Sequence, residues 1–390
     1  MSIMRKLDGK LAAGVFIILR CILFFVMPYS AYLGFGDQLN FYRLAQIPGW
    51  PFFDYWVEFP PIFPFISTGL YRLAGGDEKI YCYMLASLLT LFDAGSILIF
   101  WKLVERTDAK ETARVKLSLY TLFLSFFPYG WWYFDPMAVF LLLLGLWFAL
   151  TRKQFAAGLT LGLGFLVKIF PALVLPIVWK RTDKKSFLKT FCLFSITILV
   201  TLGFLWLFSL QMTTASLSAQ YSKGSWQTVW ALLDGNLGTG NFGPLTDRWD
   251  PAKAFHRQGN PAKIPAIVPF SIAVCIGFWI LLKSVLQSDR QLTALVGVAW
   301  SLLILVSPGW SPQWILYIIP LILLVLPINI AALYSLLLIG LSLIEWPILF
   351  SRSRIDLLWI VVLMRTMLIL IAGIHFARIT MKLERAKRTI

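Results

Sequence analysis

The sequence predicts an all-α polytopic membrane protein with about twelve transmembrane helices, within a range of roughly ten to thirteen. Of its 390 residues, 59% are hydrophobic and only 14% are charged, and the mean hydropathy is +0.76. Apolar runs close to the ~20 residues that cross a bilayer recur along the whole length. These runs are continuous and lack the alternation of barrel strands, which favours helices over a β-barrel.

The predicted spans are the apolar runs themselves. They occupy residues 11–33, 80–101, 116–130, 136–150, 155–167, 169–179, 187–210, 264–283, 292–307, 313–327, 329–349 and 357–377. Runs 155–167 and 169–179 are each too short for an upright crossing and meet at Lys168 just before a proline. They therefore predict either a V-shaped pair or one bent span. Without a visible repeat or a Gly/Ser-rich linker, residues 1–390 are expected to form one domain.

The charges predict the topology. The net charge of +16 resides in short gaps between apolar runs and not along one face, so it indicates orientation in a membrane and not a nucleic-acid partner. By the positive-inside rule, the basic gaps and both termini lie in the cytoplasm. Loops 34–79 and 211–263 then lie outside, and the first span is expected to be retained. The four cysteines lie in or beside apolar runs without metal or disulfide spacing.

Loop 34–79 carries acids among prolines and aromatic residues. Its core, "FGDQLNFYRLAQIPGWPFFDYWVEFPPIFPFI" (35–66), contains Asp37, Asp54 and Glu58. Prolines and interfacial aromatics predict a chain that lies along the membrane surface, with its carboxylates at headgroup depth. Two plainer interpretations stay open. Asp37 can cap a short helix "DQLNFYRLA", and Asp54 and Glu58 can be solvated or paired with Arg43 and Arg72.

Residues 131–181 form a second element of interest. Asp135 opens a predicted helix, and the glycines of "GLTLGLG" predict close helix packing. Lys168 lies within an apolar run, where a lipid-facing charge costs roughly 3 kcal/mol. The residue is therefore expected in a polar cavity or beside an anion, the alternative being a lysine that snorkels to the interface.

Two further outer segments contain polar groups. In "VSPGWSPQWILYIIP" (306–320), prolines and tryptophans predict a kinked turn with Gln313 available for hydrogen bonding, or an aromatic belt and nothing more. Loop 211–263 contains His256 beside Arg257, and its glycines do not form a phosphate-binding P-loop. With only two histidines in the chain, a zinc site is not favoured.

Together these elements resemble the GT-C superfamily of membrane glycosyltransferases. The likeness is to the polyprenyl-phosphate-dependent mannosyl- and arabinofuranosyltransferases, the GT87-like group, and more loosely to the GPI mannosyltransferases. Its residues are Asp37 after the first span, the patch Tyr55 to Pro61, the run Ala157 to Pro171, and the turn Ser311 to Trp314. The patch reads "VEFPP", with Glu58 where the group has a tyrosine.

The resemblance implies a GT-C-like bundle that moves a mannose-like hexose or a pentose from a polyprenyl-phosphate donor to a hydroxyl of a lipid or glycan. Transfer would invert the anomeric centre at the outer face of the cytoplasmic membrane. A phosphate leaves as an anion and needs no general acid, so one carboxylate base suffices. No cofactor is implied, and the spacing of the acids demands no metal ion.

By the same resemblance Asp37 is the base and Glu58 a possible second acid. The expected donor-phosphate ligands are Lys168, Arg43, Arg72 and Arg257. The residues expected to orient sugar or acceptor are Asp54, Asp135, Gln313 and His256.

Two other classes of function compete with this interpretation. A secondary transporter or lipid-linked-sugar flippase also uses broken helices and an intramembrane lysine, but such proteins usually show repeated halves with charges at the midplane. A noncatalytic scaffold would have the same fold without an essential acid. Sugar transfer that depends on Asp37 separates the enzyme from both.

Overall fold

Several helices begin or end where the sequence supplies a capping side chain or a proline. The computed structural model describes residues 7–238, 243–256 and 258–382. Helix makes up 78% of these residues, and they contain no strand. The first helix follows Asp8, whose carboxylate accepts from the Leu11 amide at 2.9 Å, and it ends just before Pro28. Side-chain caps satisfy amides that the first helical turn leaves without a partner.

Eighteen α-helices make up most of the described residues. They are α1 Gly9–Val26, α2 Tyr29–Leu33, α3 Gln38–Ala45, α4 Ile62–Leu73, α5 Glu78–Thr107, α6 Lys110–Phe126, α7 Tyr129–Trp132, α8 Asp135–Leu150, α9 Gln154–Val167, α10 Leu175–Arg181, α11 Lys184–Phe208, α12 Leu210–Ser222, α13 Val229–Asp234, α14 Ile267–Lys283, α15 Asp289–Val306, α16 Ile315–Val325, α17 Ile328–Leu343 and α18 Leu358–Met381. A π-helical turn, Ile344–Leu349, continues α17, and short 3₁₀ turns include Phe170–Val174 and Pro312–Trp314.

The all-helical membrane class is confirmed, whereas the count of twelve spans is not. Six helices in the described part of the chain are long and apolar enough to cross a membrane, and four apolar helices are shorter. The predicted run 11–33 breaks at Pro28, because proline cannot donate within a helix. Run 169–179 becomes a 3₁₀ turn followed by the seven-residue α10. Lys168 lies at this break with an extended backbone, as its position between two short runs predicts.

The bundle has two ends with different chemistry. At the end of α5, which we call the Asp108 end, two buried or half-buried acids each bind two cations. The pairs are Asp108 with Lys116 and Arg290, and Asp289 with Arg106 and Arg181. At the start of α5 lies the opposite end, which we call the Asp37 end, where Tyr29 donates to Glu78 at 3.2 Å. The predicted site residues of loop 34–79 lie at this second end.

The hairpin α8–α9 brings distant residues to the Asp37 end. Helices of 16 and 14 residues run out and back over nearly equal lengths, so the residue that opens α8 and the residue that follows α9 meet at one level. Close packing of α9 on α11 holds the hairpin. A Cβ at Gly158 would lie 2.6 Å from the Thr190 carbonyl oxygen, and one at Gly162 would lie 2.8 Å from Thr197 Cβ. Small residues permit this approach, as predicted from "GLTLGLG".

A buried ion pair joins α1 to α5 inside the apolar core. Arg20 Nη2 lies 3.4 Å from Asp93 Oδ2, and Arg20 Nε donates to the Leu124 carbonyl at 3.1 Å. The guanidinium is 4.4 Å from the centre of the Trp131 ring. Such pairing offsets the cost of placing charges within a membrane span.

Candidate active site

The backbone of Asp37 is fixed on the segment that leads into α8. Gly36 packs directly against Trp132. A Cβ added at residue 36 would lie 2.6 Å from the Cβ and Cγ atoms of that tryptophan. The Asp37 amide donates to the Trp132 carbonyl at 3.1 Å. Gln38 Nε2 donates to the neighbouring Trp131 carbonyl at 2.5 Å. The position of Asp37 is therefore tied to that of Asp135, which lies three residues beyond Trp132.

The side chain of Asp37 does not cap α3. It precedes the helix but makes no cap hydrogen bond, and its Oδ1 accepts instead from Asn40 Nδ2 at 3.1 Å. Burial raises the pKa of the Asp37 carboxyl to about 6, opposed by the Asn40 hydrogen bond and by Lys223 and Lys168, whereas Glu58 raises it further. A carboxyl with such a pKa can take up a proton near neutral pH.

Lys168 is paired with a buried carboxylate. Its Nζ lies 2.6 Å from Asp135 Oδ1, and the side chain of Asp135 is 1% exposed while that of Lys168 is 17% exposed. The expectation of an anion beside Lys168 is met, and snorkelling does not describe its position. Since the ammonium keeps some exposure, it has donors left for a ligand.

The turn 306–314 approaches the same lysine. Lys168 Nζ lies 5.0 Å from the centre of the Phe134 ring and 5.8 Å from that of Trp314. The turn is held by the long loop, because the Trp226 amide donates to the Pro308 carbonyl at 3.0 Å. The sequence features that carry the family resemblance thus converge at the Asp37 end.

Glu58 is bound by the long loop. Its carboxylate forms a buried ion pair with Arg248, and not with Arg43 or Arg72 as one interpretation of the sequence had it. Its carbonyl accepts from Gln220 Nε2 at 2.6 Å. This pairing fixes loop 211–263 over loop 34–79.

Lys223 is a second ammonium at this site. It follows α12, and its Nζ lies 4.0 Å from the centre of the Trp226 ring. Burial lowers the pKa of Lys223 to about 8, opposed by Glu58 and Asp37, and Lys168 lowers it further. Lys223, Lys168, Glu58 and Asp37 therefore act on one another through space.

Several other predicted residues have local partners or lie apart. Arg72 donates to the Gly49 carbonyl at 3.0 Å and covers the Trp50 ring at 3.8 Å, and Asp54 accepts from the Trp50 amide at 2.7 Å. These contacts shape the 49–55 turn. Neither Arg72 nor Asp54 is among the strongest influences on the pKa of Asp37.

The remaining predicted residues differ in exposure. Arg43 and His256 are exposed, and Gln313 is half-buried beside Trp314. Arg257 lies outside the described residues.

Sequence inspection missed Lys223 and Arg248. Both lie in the long loop, Lys223 between Ser222 and Gly224 and Arg248 between Asp247 and Trp249, but no motif distinguishes them from the other basic residues of that loop. Arg248 pairs with Glu58, and Lys223 interacts with the charges of Glu58 and Asp37. These acids lie far away in sequence, so only the tertiary structure identifies the two basic residues as part of the site. Among the described residues, no three histidines, cysteines or acids lie together in a way that could hold a metal ion.

Comparison with known proteins gives one match. The family model of glycosyltransferase family 87 matches residues 56–308, which include Glu58, Asp135, Lys168, Lys223 and Arg248. No curated protein and no solved structure matches the chain. Because the model covers more than half of the sequence, the family assignment decides between a glycosyltransferase and the transporter interpretation. The chain belongs to glycosyltransferase family 87.

Proposed function

We propose that this membrane glycosyltransferase moves a sugar from a polyprenyl-phosphate donor to a hydroxyl of a lipid or glycan acceptor, with Asp37 as the general base. The observation that carries the proposal is the placement of one half-buried carboxylate within the field of two ammonium groups, Lys168 and Lys223. A base and a cationic phosphate site are the two components that such a transfer needs.

The reaction balances as a single displacement. The acceptor oxygen attacks the anomeric carbon of the sugar while the bond from that carbon to the phosphate oxygen breaks. The hydroxyl proton passes to Asp37, and the bonding electron pair leaves on the polyprenyl phosphate. Attack opposite to the leaving group inverts the anomeric centre. Glu58 is held by Arg248, so we assign it to fixing the long loop and not to a second acid.

The lysines bind the leaving group more tightly as the reaction proceeds. The donor is a phosphodiester with a single negative charge, and the departing monoester gains a second charge. Each close cation is worth about 4 kcal/mol at an effective dielectric of 20, before desolvation. Stabilisation of charge that develops only in the transition state lowers the barrier directly. Because Lys168 and Lys223 supply the positive charge that stabilises the phosphate, the reaction needs no divalent cation, and we expect transfer to continue in EDTA.

The distribution of charge supports a site on the outer face. The Asp108 end carries the cations that the positive-inside rule assigns to the cytoplasm, among them Arg106, Lys116, Arg181 and Arg290. The Asp37 end then faces outward, where a donor flipped across the membrane is available.

The test is sugar transfer by the purified chain with Asp37→Asn. The amide cannot accept the acceptor proton, so we expect a loss of at least about a hundredfold in kcat. Asp356→Asn is the matched control, because Asp356 is an exposed carboxylate paired with Arg354 on the loop before α18. The base assignment is wrong if Asp37→Asn transfers sugar at the wild-type rate.

A further inference from the structure

The last two helices, beyond the family match, contain a buried ion pair that sequence inspection did not single out. Glu345 and Arg365 have side chains that are 0% and 2% exposed, and the carboxylate accepts from Arg365 Nη1. Arg365 Nη2 donates to the Gln227 carbonyl, and its guanidinium lies 4.5 Å from the centre of the Trp310 ring. One arginine therefore joins α18 to α17, to the long loop and to the turn 306–314.

Glu345 lies in an interruption of the helical backbone. The π-helical turn Ile344–Leu349 contains Trp346 with φ −135° and ψ 121°, an extended conformation, and Pro347 follows without an amide hydrogen. Single π turns in helices occur frequently at functional sites. The interruption points the Trp346 side chain away from the path of α17 and toward loop 34–79.

Trp346 is bound directly to the chain that carries Asp37. Its Nε1 donates to the Phe35 carbonyl at 2.9 Å, and the two rings lie edge to face at 6.2 Å. The backbone of Trp346 is held as well, because the Tyr129 hydroxyl donates to the carbonyls of Ser342 and Trp346. Phe35 is two residues before Asp37, whose own amide is held by the segment that follows Tyr129.

We propose that Trp346 is a positioning residue for Asp37, fixed in place by the Glu345–Arg365 pair. The hydrogen bond to Phe35 and the bond from Asp37 to Trp132 hold the Asp37 segment on both sides. Proton transfer requires the base within hydrogen-bond reach of the acceptor hydroxyl, and displacement by about 1 Å can cost about a hundredfold in rate. The catalytic part of this proposal rests on the proposed role of Asp37 as base.

The test compares Trp346→Phe with wild type in the full-length purified chain. Phenylalanine keeps a ring against Phe35 but cannot donate to its carbonyl. With polyprenyl-phosphate mannose and polyprenyl-phosphate arabinofuranose as donor probes, we expect kcat to fall about tenfold while the donor KM and the Tm stay near wild type. Trp359→Phe is the matched control, because Trp359 is 51% exposed on α18. It should leave all three quantities unchanged.

A second readout needs no substrate. Loss of the Trp346 bond should speed amide hydrogen exchange in the peptide that covers residues 35–38, while peptides of the α18 core keep wild-type exchange. Arg365→Lys, which keeps the charge but forms fewer hydrogen bonds, should give an intermediate increase. If the wild-type chain transfers neither sugar, the proposed function fails, and exchange at 35–38 alone decides the positioning contact.

The proposal is overturned by either of two results. One is an unchanged kcat and unchanged exchange at 35–38 in Trp346→Phe. The other is a parallel fall in kcat, donor affinity and Tm, which indicates a general structural role and no specific positioning of Asp37.

Discussion

Asp37 and Lys223 both have pKa values shifted toward neutral pH. Burial raises the pKa of the Asp37 carboxyl to about 6 and lowers that of the Lys223 ammonium to about 8. The proposed mechanism needs the carboxyl without its proton and the ammonium with its proton. Between about pH 6 and about pH 8, most molecules meet both conditions.

The first prediction is a bell-shaped profile of kcat/KM against pH. Activity should rise as pH increases through about 6, when Asp37 loses its proton, and fall as pH increases through about 8, when Lys223 loses its charge. In Lys223→Arg the cation stays charged at all accessible pH values, so the alkaline limb should disappear. An alkaline limb that persists in this variant contradicts the role of Lys223.

The second prediction concerns Lys168. Lys168→Gln removes the cation beside Asp135, so we expect the apparent donor KM to rise about tenfold, equivalent to roughly 1.4 kcal/mol. Lys79→Gln is the control, because Lys79 is an exposed lysine at the same end of the bundle. The two variants are compared by initial rates over a range of donor concentrations. Equal donor KM values in both would remove Lys168 from the phosphate site.

The hairpin α8–α9 determines the geometry of the site at the level of whole elements. Its two helices present Asp135 and Lys168 at the same end, and its contact with α11 leaves no room for side chains at Gly158 or Gly162. In a lipid environment, helices associate mainly through such close packing and interhelical hydrogen bonds. The geometry of the Asp135–Lys168 pair thus depends on the contact of α9 with α11.

The third prediction contrasts two substitutions of glycine by alanine. Gly158→Ala places a Cβ 2.6 Å from the Thr190 carbonyl oxygen, so it should destabilise by about 1–3 kcal/mol. Gly203→Ala on α11 meets nothing within 4 Å, and should be neutral or stabilising by a few tenths of a kcal/mol because alanine favours helix. Thermal unfolding in detergent measures both. A common sign for the two changes contradicts the packing argument.

At the scale of the whole molecule, the proposed orientation in the membrane follows from the division of charge between the two ends. The fourth prediction uses Asp356→Cys at the Asp37 end and Asp183→Cys at the Asp108 end, with the native cysteines replaced by serine. Both positions are exposed. A membrane-impermeant maleimide applied to intact cells should label Asp356→Cys and leave Asp183→Cys unlabelled. The reverse pattern contradicts an outer-face site.

Much of this architecture could be predicted from the sequence, because its determinants are local. Apolar runs and prolines located most helices, and "GLTLGLG" predicted close helix packing without identifying α11 as the partner of α9. The number of crossings was not predictable in the same way. A run such as 169–179 has the composition of a membrane helix, but its proline and its packing leave only a 3₁₀ turn and a short helix.

The sequence by itself determined the membrane class and the position of most helices, and it singled out Asp37, Asp135 and Lys168 as candidate site residues. It did so because a charge in apolar surroundings is recognisable without knowing its partner. Only the tertiary structure decided which charges meet. Glu58 and Arg248 are separated by 190 residues, and Arg365 and Gln227 by 138. Hydrogen bonds act over about 3 Å, so such pairs exist only once the whole bundle has packed.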